Sequence, residues 1–205
     1  MKHTKKFSML LVCAAFMLSA CQDKPFAKLA SIMDETHELM YEFDNNHSTR
    51  DEDPNELHET LNKMLTPYLE KIRKEYHKLE GKKIDTEITD DTGLTIIEPF
   101  TATIIDNNKE LALKFVAKVK PSETSNFYGI RAIGYEGDTP VIYLSGYGYD
   151  VNKVSEEEWD VKVRFMMFIN PKLIGRIDKI VLTTDSELIR KMENDENRFD
   201  PRFPH

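Results

Sequence analysis

Apolar residues recur at helical spacing in two segments near the start of the chain. The first stripe contains Phe26, Leu29, Met33, Met40 and Phe43, and the second contains Leu57, Leu61, Met64, Tyr68, Ile72, Tyr76 and Leu79. Steps of three and four residues are typical of amphipathic helices, so the pattern predicts a helical hairpin joined by polar residues 45–53. We expect Asp53 to cap the second helix ahead of Pro54, and Gly81 to follow its end. Pro67 predicts a kink, or a restart capped by Thr66.

After Gly81 the apolar period changes from helical to alternating, which indicates β-strands. The predicted strands cover residues 84–88, 94–98, 100–105, 111–120, 128–136, 140–145, 160–169 and 177–183. Such short strands favour an antiparallel β-sandwich, with the immunoglobulin fold as an architectural analogy. A short helix capped by Asp185 is predicted over residues 186–192. Residues 195–205 are charged and contain proline, so they predict a disordered tail.

The expected fold class is therefore α+β. We expect four regions: a leader over residues 1–20, a helical hairpin within residues 21–81, a β-sandwich over residues 82–194 and the tail over residues 195–205. The leader begins with a basic head containing Lys2, Lys5 and Lys6, and continues as an apolar run from Met9 to Leu18. This layout is typical of a secretory signal peptide, and the run is too short for a transmembrane helix.

Leu18-Ser19-Ala20-Cys21 closes the leader and resembles the lipobox of bacterial lipoproteins. The resemblance implies cleavage before Cys21, attachment of lipid to its thiol, and membrane association through that lipid. Gln22 follows the cysteine, and the absence of aspartate there implies release to the outer membrane in a bacterium with two membranes. In a bacterium with one membrane, the same anchor implies its outer face.

Charge and cysteine content narrow the classes of partner. The leader holds three lysines and no acidic residue, so its removal changes the formal charge from −8 to −11. Nucleic acid is not an expected partner, because phosphate binding needs a basic face. Cys13 leaves with the leader and Cys21 carries lipid, so we expect neither a disulfide nor a thiolate zinc site.

Signatures of metal or cofactor chemistry are incomplete, and we predict no metal and no cofactor. His37-Glu38 begins like a zinc-protease helix, but Tyr41 stands where the second histidine belongs. Dispersed carboxylates such as Asp85 with Glu87, or Asp90 with Asp91, leave a hydrolase as an alternative. A solvated strand face is the simpler interpretation of those pairs, because acid–base catalysis needs a carboxyl in a low-dielectric site.

An aromatic stretch is the strongest candidate for binding. Tyr143, Tyr147 and Tyr149 flank glycines, and Trp159 follows within ten residues of Tyr149. Tyrosine and tryptophan rings can contact a sugar or a partner protein, with their polar groups available for hydrogen bonds. The same rings could instead pack over the rim of the sandwich.

Two Arg-Phe pairs near the C-terminus form a second candidate. Arg198-Phe199 and Arg202-Phe203 stand beside prolines in the predicted tail. A phenylalanine on a segment with little structure of its own can insert into the groove of a partner. The alternative is a tail without function.

These patterns predict a lipid-anchored envelope protein that is not an enzyme and that contacts another envelope protein. A polysaccharide-binding module using residues 143–149 is the first alternative, and a hydrolase is the second. The expected location is the bacterial envelope, in the outer membrane, on its periplasmic face or at the cell surface.

Overall fold

A computed structural model describes residues 24–47, 53–107, 110–125, 128–145, 149–164 and 169–203. The leader, Cys21 and Tyr147 lie outside the described residues. The helices within them are α1 (Ala27–Asn46), α2 (Pro54–Leu79), α3 (Pro171–Ile174) and α4 (Ser186–Glu193). The strands are β1 (Asp85–Ile88), β2 (Leu94–Asp106), β3 (Leu111–Pro121), β4 (Arg131–Glu136), β5 (Thr139–Tyr143), β6 (Tyr149–Lys153), β7 (Trp159–Arg164) and β8 (Lys179–Thr183).

The strands form two four-stranded sheets, which confirms the α+β class. The first sheet has the order β2-β3-β7-β6, and its neighbouring strands are all antiparallel. The second has the order β1-β8-β4-β5. Its strands are antiparallel except that β1 runs parallel to β8, with Asp85 opposite Lys179.

One cluster of buried apolar side chains connects the helices with both sheets. Phe26 and Leu29 enter it from α1, Phe115 from the first sheet, and Ile142 and Leu182 from the second. The rings of Phe26 and Phe115 meet edge to face with centroids 5.3 Å apart. The predicted helical and strand regions therefore share a core, which stabilises both by removing apolar surface from water.

The predicted caps of α2 are confirmed. The Asp53 carboxylate accepts a hydrogen bond from the Asn55 amide at 2.8 Å, and Pro54 occupies the first turn. After the helix ends, Gly81 adopts a left-handed φ of 73°, which glycine tolerates without a steric penalty. The predicted restart at Thr66 is wrong, because α2 continues through Pro67 and the Thr66 hydroxyl donates backward to the Asn62 carbonyl at 2.7 Å.

The predicted disorder of the tail is wrong for residues 195–203. Asp195 caps a short 3₁₀ helix over Glu196–Arg198, and Phe199 then pairs with Ile169 in an antiparallel bridge. The Asn170 side chain donates to the Asn197 carbonyl at 2.9 Å. These hydrogen bonds, together with ion pairs described below, compensate for the low hydrophobicity of the segment.

Candidate functional site

Two deeply buried ionisable side chains, Asp200 and His37, join the C-terminal segment to α1. The Asp200 carboxylate, with 1% of its side chain exposed, lies 2.8 Å from Nδ1 of His37. Its oxygens also accept hydrogen bonds from Nε of Arg202 at 2.8 Å and from Nη2 at 2.6 Å. We call His37, Asp200 and Arg202, together with Asp34 and Glu38, the C-terminal latch.

The Arg202 guanidinium bridges the C-terminal segment and α1. It donates to the Glu38 carboxylate at 2.8 Å, to the Asp34 carboxylate at 2.5 Å, and to the Asp34 backbone carbonyl at 3.2 Å. Bidentate pairing of arginine with a carboxylate is among the stronger charge-assisted interactions in proteins. Three carboxylates thus surround one cation whose side chain is 17% exposed.

The latch keeps its central carboxyl ionised. Burial by itself would raise the pKa of Asp200, but hydrogen bonds from Arg202 and His37 and the charge of Arg202 hold that pKa well below its ordinary value. The hydrogen bond to Asp200 in turn raises the pKa of Arg202 above its ordinary value, against the opposing effect of burial. Both groups therefore remain charged at neutral pH.

The local sequence positions the residues within each half of the C-terminal latch. Asp34, His37 and Glu38 are three and four residues apart, so they lie on neighbouring positions of one helical face. On the other side, the amide of Arg202 donates to Asp200 at 3.0 Å, which fixes the turn that aims both side chains at α1. The helical spacing of the α1 residues is visible in the sequence. Their partners Asp200 and Arg202, which lie 163 and 164 residues away from His37 and Glu38, are not.

A histidine paired with an aspartate is also the arrangement of a general base and the group that orients it. Here the His37 side chain is only 4% exposed, and the Phe203 ring meets the imidazole edge to face with centroids 5.2 Å apart. Among the described residues, this imidazole is therefore almost closed to solvent. The hydrogen bonds and ion pairs of the latch hold residues 199–203 against α1.

A cleft of about 720 Å³ lies along the same C-terminal segment. Its lining includes Asn170, Asn194, Phe199, Pro201 and Phe203. Nearby, the Arg198 guanidinium lies 4.5 Å from the Phe199 ring centroid and 5.7 Å from that of Tyr143. Aromatic, amide and several acidic groups thus line a space within the usual size range of small-ligand sites.

Of the predicted tyrosine surface, the structure describes the side chain of Tyr143 and the backbone of Tyr149. Tyr143 is 8% exposed and packs with Ile133 and Met192, so its ring lies inside a small apolar cluster. Burial of this ring does not fit the predicted role of Tyr143 in presenting its ring to a ligand or partner. Tyr149 begins edge strand β6, where its backbone pairs with Val163. Tyr147 lies outside the described residues.

The other predicted aromatic residues also belong to the fold. Trp159 begins β7 and packs, half-buried, against the main core. Phe199 and Phe203 were predicted as anchors on a free tail, but Phe199 bridges to Ile169 and Phe203 meets His37. The Arg-Phe pairs therefore dock onto their own chain. Both phenylalanines remain partly accessible in the cleft.

One carboxylate of each pair considered for hydrolysis is engaged by neighbouring groups. Glu87 forms an ion pair with Lys179 at 2.9 Å. Hydrogen bonds from Thr184 and Thr89 hold the pKa of Asp91 below its ordinary value. A general acid at neutral pH needs a raised pKa instead, so Asp91 does not have the property that such a role requires.

A half-covered apolar stripe on α2 is the clearest exposed apolar feature of the helical pair. Leu69 is 43% exposed, and the neighbouring stripe positions are only half-buried. Those positions are Leu61, Met64, Leu65 and Tyr68. The sequence pattern placed Leu61, Met64 and Tyr68 on a stripe expected to pack against α1 and the segments that follow, and it did not include Leu65 or Leu69. We call these five residues the α2 stripe.

Neither a metal site nor a membrane-spanning helix is present among the described residues. In the described parts of the chain, no group of three or more histidine, cysteine, aspartate or glutamate side chains is placed to hold a metal ion. None of the helices there has the length and apolar character needed to cross a membrane. Comparisons with protein families, curated proteins and solved structures found no match.

Proposed function

We propose that this protein is a lipid-anchored component of the bacterial envelope that works by binding another envelope protein. The observation that carries the proposal is Leu18-Ser19-Ala20-Cys21 at the end of a basic and then apolar leader. Lipid on Cys21 would hold the mature chain at a membrane, in keeping with the expected outer-membrane location. Stable anchoring of this kind needs more than one acyl chain, which the lipoprotein modification provides.

The proposed architecture is a helical hairpin on a β-sandwich. Its support is the common core, in which side chains of both sheets meet Phe26 and Leu29 of α1. Lys28 on the first turn of α1 lies 3.2 Å from Glu75 near the end of α2, as expected for antiparallel helices. An immunoglobulin-like arrangement of the strands stays a prediction.

The α2 stripe is the proposed contact surface for the partner. Its neighbour α1 leaves Leu69 43% exposed and Met64 and Tyr68 partly exposed. Contiguous apolar surface of this kind typically marks a protein interaction site, because burying it against a partner is favourable. The expected occupant is an apolar helix or strand of another envelope protein.

Site-specific photocrosslinking in the protein's own cells tests this proposal. A photoreactive residue would replace Leu69 in the lipidated protein, and a matched one would replace Lys74, which is exposed on another face of α2. We expect a discrete protein adduct from position 69, identified by mass spectrometry, and none from position 74. Absence of an adduct at 69, or identical adducts at both positions, would contradict the proposed surface.

The C-terminal cleft favours polysaccharide binding as a second candidate. It combines the Phe199 and Phe203 rings with the amides of Asn170 and Asn194, and sugars are recognised by such combinations of flat rings and hydrogen-bonding groups. This candidate uses a different surface from the one predicted at residues 143–149. Retention on envelope glycan that is lost in Phe199→Ala but kept in Leu69→Ala would support this candidate. No retention of the wild-type protein on any host glycan would exclude it.

A further inference from the structure

The described fold begins very close to the proposed anchor. Lys24 already forms an ion pair with Glu136, and its carbonyl accepts a hydrogen bond from the Ala27 amide at 3.1 Å. Two residues later, Phe26 is completely buried against Phe115. Only Gln22 and Asp23 separate Cys21 from this fixed starting point.

Covalent geometry limits how far such a short connection can reach. Three Cα-to-Cα steps separate Cys21 from Lys24, and at 3.8 Å each they span at most about 11 Å. Moving the domain farther from the lipid would require Phe26 and Leu29 to leave the core, where they are 0% and 1% exposed. Burial of two large side chains opposes that movement.

We propose that one particular face of the domain rests against the membrane headgroups, an inference that depends on the proposed lipidation of Cys21. This anchor-side face consists of Lys24, Glu136, Asp138, Lys172 and Arg176. Glu136 joins its parts, because it pairs with both Lys24 and Arg176, the latter at 2.9 Å. Asp138 is fully exposed at the turn between β4 and β5.

The chemistry of this face suits a surface of lipid headgroups. Lys172 and Arg176 line a shallow groove with Ala27 at the start of α1, so two basic side chains accompany Lys24 on this side. Basic groups near a membrane are attracted to lipid phosphates. Because the face also carries the acidic groups of Glu136 and Asp138, its charge alone does not determine the orientation. The short connection to Cys21 determines it, and the basic groups add a local attraction to lipid phosphates.

The opposite end of the helical pair then extends away from the anchor. α1 has 20 residues and is about 30 Å long at 1.5 Å per residue. The antiparallel α2 returns from that far end, where Leu57 and Phe43 line a common pocket. Glu59 lies near this end, and the α2 stripe extends from Leu61 toward the middle of the helix.

Depth measurement on the lipidated protein in liposomes tests the orientation. Cys21 is the only cysteine after the leader, so a single added cysteine can be labelled selectively. Asp138→Cys would report on the anchor-side face, and Glu59→Cys on the far end. With quencher-labelled headgroups, we expect several-fold stronger fluorescence quenching at position 138. A flexible insert of about 20 Gly/Ser residues between Asp23 and Lys24 should abolish most of that difference.

Separate readings distinguish failure of this inference from failure of the proposed function. Mass spectrometry of the N-terminal peptide first establishes whether Cys21 carries lipid. If it does not, the proposed anchoring fails. If Cys21 is lipidated but positions 138 and 59 are quenched equally, or if the insert leaves quenching at 138 unchanged, the proposed orientation is overturned.

Discussion

At the scale of single residues, Arg202 is the side chain on which the C-terminal latch depends most. Arg202→Ala would leave the buried Asp200 carboxylate without its strongest partner, and removing one member of a buried ion pair costs about 3–5 kcal/mol. We expect a loss of that size in the free energy of unfolding, measured with urea. Lys63→Ala is a matched control, because its ion pair with Glu59 is exposed and is worth less than about 1 kcal/mol. Equal effects of the two variants would contradict the assigned role.

The latch also predicts a specific dependence of stability on pH. Hydrogen bonds and charge depress the pKa of Asp200 in the folded protein, against the effect of burial, whereas an unfolded aspartate has a pKa of about 3.9. The carboxylate therefore stabilises the fold above about pH 4, and this contribution is lost as the pH falls toward the folded pKa. The free-energy difference between the wild-type protein and Asp200→Asn should be constant above about pH 5 and shrink as the pH falls from about 5 to 3. Urea unfolding at several pH values measures it, and a difference that stays constant down to about pH 3 would contradict the prediction.

At the scale of secondary-structure elements, the C-terminal segment is part of the fold. Truncation after Asn194 removes Asp200 and Arg202, together with the bridge from Phe199 to Ile169. We expect a lower Tm in the truncated chain, and for a chain of this length each kcal/mol of lost stability corresponds to a decrease of about 2–4 °C. Differential scanning calorimetry of the truncated and full mature chains provides the comparison. An unchanged Tm would restore the prediction of a disordered tail.

Strong local signals predicted much of this architecture. The caps at Asp53 and Asp185 were visible because short polar side chains directly precede apolar periodic segments. Strand β6 was missed because it is a short edge strand with polar residues, and α3 because four residues carry little periodicity. The parallel pairing of β1 with β8 is a long-range property that alternation of apolar residues does not encode.

The candidate site was predictable only in part, because long-range contacts determine which of its residues are buried or ordered. The α2 stripe follows from local spacing, but its degree of exposure depends on how much surface α1 covers. Residues 195–203 have the composition of a disordered segment, and their order comes from partners on α1 and near α3. Tyr143 looked like a surface residue because glycine and tyrosine follow it, yet packing with Ile133 and Met192 buries its ring.

At the scale of the whole molecule, the short connection to Cys21 and the core shared by the helices and both sheets together couple the domain to the proposed anchor. Phe26 ties the beginning of α1 to β3, so an anchor at Cys21 would act on the domain as one body. In the proposed arrangement, the lipid determines which face meets the membrane and leaves the α2 stripe for a partner. Lipidation of Cys21 is therefore the step on which the proposed function and the proposed orientation both depend.

Metabolic labelling with a fatty acid tests that central claim most directly. Wild-type protein and Cys21→Ala would be expressed in the source cells, labelled, purified and compared by mass and by incorporated lipid. We expect labelled mature protein that begins at Cys21 in the wild type, and an unlabelled, uncleaved or mislocalised precursor in Cys21→Ala. Equal labelling of the two proteins, or a wild-type protein without lipid, would contradict the account.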